Sequence, residues 1–229
     1  MRSPSLDARL LSVAELVRQG AKFADIGTDH AYLPLWLLAE GRIESAICAD
    51  INEGPLQSAR ENARDCGLLS KVSFRLTDGA AALSGEGITD IAIAGMGGEL
   101  IASIIERAPF LKDRDIRLIL QPMTKQEVLR RYLYSAGFAI EKEVYSYSQC
   151  KYYVTICAHF DSSKQEISDT VAHFGERKFH TPPTKEARGY FSAKIRALAR
   201  RRDGLIAAGE ATSAESALIE YAQEVLTQE

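Results

Sequence analysis

Hydrophobic positions along the first 160 residues switch repeatedly between two periods. Over residues 6–17 they recur every three or four residues, the spacing of one helix face. Residues 22–26 (KFADI) form a short apolar run that ends in a turn, which predicts a strand. Helical spacing then predicts helices over 32–39, 53–66 (stopped by Gly67), 100–107 and 125–136. Short apolar runs predict strands over 43–49, 72–76, 90–94 and 116–120. Two further strands, about 138–147 and 151–160, follow with no helix between them. Strands alternating with helices predict an α/β fold, a doubly wound, mostly parallel sheet covered on both faces. The final hairpin adds an antiparallel edge strand. Any ligand is expected at the carboxyl ends of the strands.

Beyond residue 160 the pattern changes. A polar stretch (DSSKQEISD) and Pro182-Pro183 precede a long helical pattern over 184–208. In it Phe191, Ile195, Leu198 and Leu205 share one side. Gly209 breaks the helix, and a second, over 213–226, carries Ala214, Leu218, Tyr221 and Val225 on one stripe. Such a pair is expected to fold as an antiparallel helical hairpin. The chain therefore divides into an α/β part, 1–160, and a helical part, 161–229.

Composition narrows the class. The 229 residues are 46% hydrophobic and 26% charged, which excludes wholesale disorder. No apolar run approaches the ~20 residues that cross a bilayer, and acids at Asp7 and Glu15 interrupt the amphipathic start, unlike a secretory leader. Cys48, Cys66, Cys150 and Cys157 lie far apart with no metal-ligand spacing, so reduced, buried thiols in a cytoplasmic protein are expected, with no metal. The net charge of −3 conceals a division: residues 176–202 hold nine basic residues against two acids, and residues 203–229 hold six acids and no Lys or Arg. A basic helix facing an acidic one helps choose their pairing, while the apolar seam stabilises it.

The densest chemical signal is Asp25-Ile26-Gly27-Thr28-Asp29-His30-Ala31-Tyr32-Leu33-Pro34. A strand ends, turns at Gly27 and feeds a helix. Asp50 ends the next strand, where an acid is placed to bind ribose hydroxyls. A pyrophosphate-binding loop needs G-x-G-x-x-G, and here an acid, Asp29, takes the second glycine position. Asp25 and Asp29 would repel a pyrophosphate but suit a cationic amine or sulfonium, both of which S-adenosylmethionine carries. Asp78-Gly79, after the third strand, would then lie near its adenine. The plainer reading of Gly27 and Asp29 alone is a tight turn; Asp50 and Asp78 at the next two strand ends count against it. Ala94-Gly95-Met96-Gly97-Gly98 follows the fourth strand and leaves an open floor with no polar side chain. Leu120-Gln121-Pro122-Met123 follows the fifth, where Gln121 could hydrogen-bond a base edge.

In their order, DIGTDHAYLP, IAGMGG and LILQP closely resemble the bacterial tRNA (adenine-22-N1)-methyltransferases, the TrmK family. The resemblance extends to RLLSVAELV, Gly54-Pro55 and Lys151-x-Tyr153, and covers about residues 6–158. It implies a Rossmann-like class I methyltransferase with a seven-stranded sheet and a coiled-coil-like helical domain, acting in the cytoplasm as a monomer. The implied reaction carries a methyl group from S-adenosylmethionine to N1 of an adenine in the D-arm region of tRNA. Implied cofactor residues are Asp25, Gly27, Thr28, Asp29, His30, Asp50, Ile51, Asp78, Gly79, Ala94, Gly95, Met96 and Gly97. Asp29, Met96 and Gln121 are the candidates for catalysis, with Tyr32 or Met96 as a floor for the target base. RNA binding needs positive charge, and Lys151, Tyr153, Lys194, Arg196, Arg200 and Arg201 are the candidates. Two other readings share these residues: a small-molecule methyltransferase of the same fold, and an S-adenosylmethionine-binding RNA module without catalysis.

Overall fold

A computed structural model describes residues 4–227. The α/β part runs α1 (Ala8–Ala14), β1 (Ala21–Ile26), α2 (Tyr32–Ala39), β2 (Ile43–Asp50), α3 (Glu53–Asp65) and β3 (Val72–Leu76). It continues with β4 (Asp90–Gly97), α4 (Gly98–Glu106), β5 (Arg117–Thr124), α5 (Gln126–Ala136), β6 (Phe138–Ser148) and β7 (Lys151–Phe160). One sheet holds all seven strands in the order β3-β2-β1-β4-β5-β7-β6. Strands β1 to β5 pair in parallel, and β7 pairs antiparallel with both β5 and β6. The expected hairpin forms that end of the sheet, with β7, its antiparallel member, slotted between β5 and β6. The strand order reverses between β1 and β4, which opens a crevice there above the strand ends.

Local chemistry sets the element ends. Asp7 caps α1 by accepting from the Leu10 amide (2.9 Å), so this helix starts two residues later than the apolar pattern does. The β6–β7 turn places Gln149 and Cys150 at φ +48° and +60°, the conformation that matches strand twist in a tight hairpin. Cys150 is therefore exposed at the tip and not buried as expected, whereas Cys48 and Cys157 are buried. Strand β4 runs to Gly97, beyond the apolar run that marked it, because it keeps pairing with β5 across a bulge at Gly95.

The core lies on both faces of the sheet. One face packs α1, α2 and α3 against Phe23, Ala46 and Ile119. The other packs α4 and α5 against Ile91, Ile93, Leu118 and Leu120. The second face continues across residue 160. After it come α6 (Asp169–Phe174), α7 (Lys185–Ala208) and α8 (Ser213–Leu226). Phe174, Tyr190, Phe191, Leu198, Leu218 and Val225 join the same apolar cluster as Phe138 and Tyr145. α7 and α8 pair as a hairpin, with Gly209 in the left-handed conformation ending α7. Ala214, expected on the seam, is exposed; Ile219 and Ala222 fill it with Leu218 and Val225. Among described residues the charge attraction between these helices comes down to Arg201–Glu215 (3.0 Å). No helix among them is long and apolar enough to cross a membrane.

Candidate functional site

A cavity of about 480 Å³ opens at the strand-order reversal. It is walled by the start of α1, the loop from Asp25 to Leu33, the β4 end at Ala94 and Gly95, and Gln149 of the hairpin. Asp25 is buried at the end of β1, and its carboxylate accepts from the Thr28 hydroxyl (2.7 Å). Burial pushes the Asp25 carboxyl up to about 6; the Thr28 hydroxyl pulls it down, Asp50 adds repulsion and Arg9 opposes that. Thr28 thus holds Asp25 and is itself buried.

Gly27 has φ +75°, and a Cβ there would fall 2.1 Å from Met96 Cε. Met96 accordingly lies against the turn, half-buried. The Asp29 side chain is 79% exposed at the cavity mouth, with His30 Nε2 at 3.6 Å. His30 stacks on Tyr32 (5.1 Å between centroids, 24° between planes), and Tyr32 keeps 44% of its surface exposed beside the cavity.

Two strand ends extend the site towards the sheet edge. Asp50 accepts from the Asn52 amide (2.8 Å) and pairs in register with Leu76 on β3. Ile51 (62% exposed) and Leu76 (60% exposed) present apolar surface next to it. Asp78 is held by Arg107 through both oxygens (2.6 and 3.2 Å), and this guanidinium keeps its carboxyl below the ordinary range. Gly79, at φ +78°, is packed under Ile104.

Gln121 lies elsewhere than expected. It is fully buried, and its carbonyl oxygen accepts from Arg9 Nη1 (2.9 Å) and from the Gly95 amide (3.1 Å). The β4–β5 ladder slips at Gly95, and the freed amide is satisfied by this side chain. Gln121 therefore shapes the wall and presents no edge to a base. Arg9, the first residue of RLLSVAELV, was not among the expected site residues; its partner is 112 residues away in the sequence.

Of the residues expected to meet RNA, Lys151, Arg196 and Arg200 are exposed. Lys151 and Arg196 flank a second hollow of about 380 Å³ beside the hairpin tip. Lys194 donates to the His173 carbonyl (3.2 Å), and Arg201 pairs with Glu215. Tyr153 is buried in β7. No cluster of His, Cys, Asp and Glu able to hold a metal occurs among the described residues.

Residues 6–156 match the family described as "Methyltransferase domain". The chain is 38% identical over 158 residues to the tRNA (adenine(22)-N(1))-methyltransferase of Bacillus subtilis (strain 168), a match spanning 69% of this chain and 66% of that protein. Among solved structures it resembles a Streptococcus pneumoniae protein described as a candidate tRNA (m1A22) methyltransferase, in complex with S-adenosyl-L-methionine. The TM-score is 0.83 at 32% identity, over 97% of this chain and 100% of that one. It also resembles the M1A22 tRNA methyltransferase TrmK of B. subtilis, with TM-score 0.80 and 29% identity over 97% and 99% of the two chains.

Proposed function

The chain belongs to the methyltransferase-domain family and, within it, to the tRNA (adenine-22-N1)-methyltransferases, and from that premise we propose that it methylates N1 of an adenine in the D-arm region of tRNA with S-adenosylmethionine as donor. The observation that carries this reading is the acid-lined cavity at the strand-order reversal. A buried carboxylate, Asp25, lies at the floor and Asp29 at the mouth, with Asp50 at the next strand end. That donor set fits a ligand bearing an ammonium and two ribose hydroxyls. It does not fit a pyrophosphate, which these acids would repel.

S-adenosylmethionine, when bound, supplies an electrophilic methyl group on a sulfonium. We assign Asp25 to the ammonium and Asp50 to the ribose hydroxyls. Ile51 and Leu76 would face the adenine ring, and Asp78 would accept from its exocyclic amine. Adenine N1 of the substrate carries a lone pair and no proton, so no side chain has to remove one. The methylated ring is cationic, and a carboxylate at the mouth stabilises charge as it develops. Asp29 is our candidate for that role. Tyr32, exposed beside it and stacked on His30, offers a face for a base lifted from its stack. Met96 fills the space under Gly27 and helps shape the floor.

Residues 1–160 on this reading carry the chemistry and 161–229 contribute to tRNA docking, with Lys151, Arg196 and Arg200 as the phosphate contacts. A cytoplasmic location and a monomeric state go with it. The test is incubation with methyl-labelled S-adenosylmethionine and unmodified tRNA, followed by nucleoside analysis. We expect 1-methyladenosine at position 22, and no label in a tRNA with another base there. Label on a small molecule only, or on no acceptor, would overturn the reading.

A further inference from the structure

A third hollow, of about 370 Å³, lies apart from the acidic cavity, between the start of α5, β7 and one side of α7. Tyr152, Tyr190, Ala193, Ala197 and Leu198 give it aromatic and apolar surface. It meets the hollow flanked by Lys151 and Arg196 at Tyr152 and Ala193, which line both. Tyr152 is firmly seated there. Gly189 of α7 comes so close that a Cβ would lie 2.1 Å from Tyr152 Cε1 and Cζ, and Tyr147 packs on the same ring (4.6 Å between centroids). A glycine inside a helix is costly, and this one lets an aromatic ring rest against the α7 backbone.

The polar groups around this hollow are of two kinds. Lys194 Nζ lies 5.5 Å from the Tyr190 ring centroid, and no carboxylate pairs with it among the described residues. Arg201, also lining the hollow, is held by Glu215 (3.0 Å). Gln126 and Glu127, half-buried at the start of α5, line it from the opposite element. Among the described residues their side chains make no hydrogen bond or ion pair. One unpaired acid in a basic groove is unfavourable for a surface that meets phosphate alone. It suits N–H donors on the edge of a base, as when a carboxylate accepts from the amino group of cytosine.

Resting on the tRNA reading above, we propose that this hollow binds a nucleobase of the tRNA other than the one methylated. The occupant is an unpaired base bearing an exocyclic amine. It packs against Tyr152, its amino edge meets Glu127 and Gln126, and its flanking phosphates meet Lys194, Lys151 and Arg196. Single-stranded RNA is read in this way elsewhere: aromatic side chains take up the unstacked base, and polar ones contact its edge. The charge of the groove complements the backbone, and its one free acid complements the base.

Binding of the full chain to unmodified tRNA, followed by fluorescence anisotropy, tests this. Ala197→Trp fills the hollow from an exposed position on α7 and should weaken binding roughly tenfold, the scale of a lost base–aromatic contact. Glu127→Ala should also weaken it roughly tenfold, although it takes a negative charge away from a surface facing a polyanion. A series of tRNAs supplies the other side of the comparison, each with one unpaired base outside the methylated adenine replaced by an abasic residue. One member should bind wild type roughly tenfold more weakly, yet bind either variant within about twofold of that variant's affinity for intact tRNA. Thermal unfolding checks that both variants are folded; if Ala197→Trp is not, Glu127→Ala carries the same comparison. Tighter binding by Glu127→Ala overturns the proposal, and so does the unchanged binding that a purely helix-start role would give. Unchanged binding by a folded Ala197→Trp, or an abasic series with no coupled member, overturns it too. A wild-type chain that binds no tRNA defeats the substrate reading together with this proposal, a result distinct from all of these.

Discussion

Asp25, which lines the candidate cavity, works against the stability of its own fold. Its carboxyl ordinarily titrates at 3.8 and is raised to about 6, with burial the largest cause. The folded chain therefore holds this proton more tightly than the unfolded chain does. Below pH ~4 both states are protonated and nothing is lost. As pH rises from about 4 through 6, the unfolded chain ionises first, and stability falls by up to about 3 kcal/mol. Asp25→Asn removes that penalty. The ligand-free variant should be more stable than wild type at pH 7.5, with the gap closing near pH 4. Urea titrations at the two pH values measure it, and a variant less stable at pH 7.5 would refute the burial argument. The same carboxylate must be ionised to hold an ammonium, so wild-type affinity for S-adenosylmethionine should drop as pH falls below 6.

Packing between elements decides where glycine is required. Gly98 opens α4, and a Cβ there would sit 2.1 Å from the Lys125 carbonyl oxygen and 3.2 Å from Leu129 Cβ. Backbone cannot yield as a flexible side chain can, so α4 and α5 would have to separate. Replacing an exposed helical glycine with alanine normally gains roughly 0.5–1 kcal/mol. Gly204 in α7, with open space around it, should behave so. Gly98→Ala should instead lose about 1–3 kcal/mol and weaken cofactor binding, because the Gly95–Gly97 segment leads into α4. Thermal unfolding of the two variants side by side tests this, and a stabilised Gly98→Ala would show that the two helices are not in contact at that point. Most elements were legible in the sequence, since their apolar periods are strong and Gly67 and Gly209 punctuate them. Helix α6 was not: it has six residues starting at the end of a polar stretch, is capped by Ser168, and buries only Ala172 and Phe174. Asp25, Gly27 and Asp29 were legible because one loop carries them. The Arg9–Gln121 contact was not, because a hydrogen bond between the first helix and the fifth strand leaves no local pattern.

Across the whole molecule, the α/β part and the C-terminal helices are tied by a buried ion pair. Arg130 of α5 donates to both oxygens of Glu143 on β6 (2.6 and 2.9 Å), and both side chains are fully inaccessible. Arg130 also donates to the Ala172 carbonyl of α6 (2.9 Å). Gly175 closes over the carboxylate so tightly that a Cβ would lie 2.5 Å from it. Arg130→Met leaves Glu143 buried and unpaired and should cost about 3–5 kcal/mol, while pairing it with Glu143→Leu should restore most of the loss. Urea unfolding of the single and double variants checks it; equal losses would mean the pair matters less than the packing around it. This junction also dictates how tRNA docking has to be tested. Removing α7 and α8 would uncover Phe174 and Tyr145, so lost binding in a truncated chain would report damage to the core as readily as a missing surface. Charge reversal on the intact chain avoids that. Lys151 and Arg196 are exposed and line a hollow beside the hairpin whose Gln149 lines the cavity. Lys151→Glu combined with Arg196→Glu should weaken tRNA binding roughly tenfold or more and reduce the slope of log affinity against log salt by about 1–2. The calorimetric affinity for S-adenosylmethionine should not change, because neither side chain lines its cavity. Unaltered tRNA affinity and salt slope would move the docking surface away from this face.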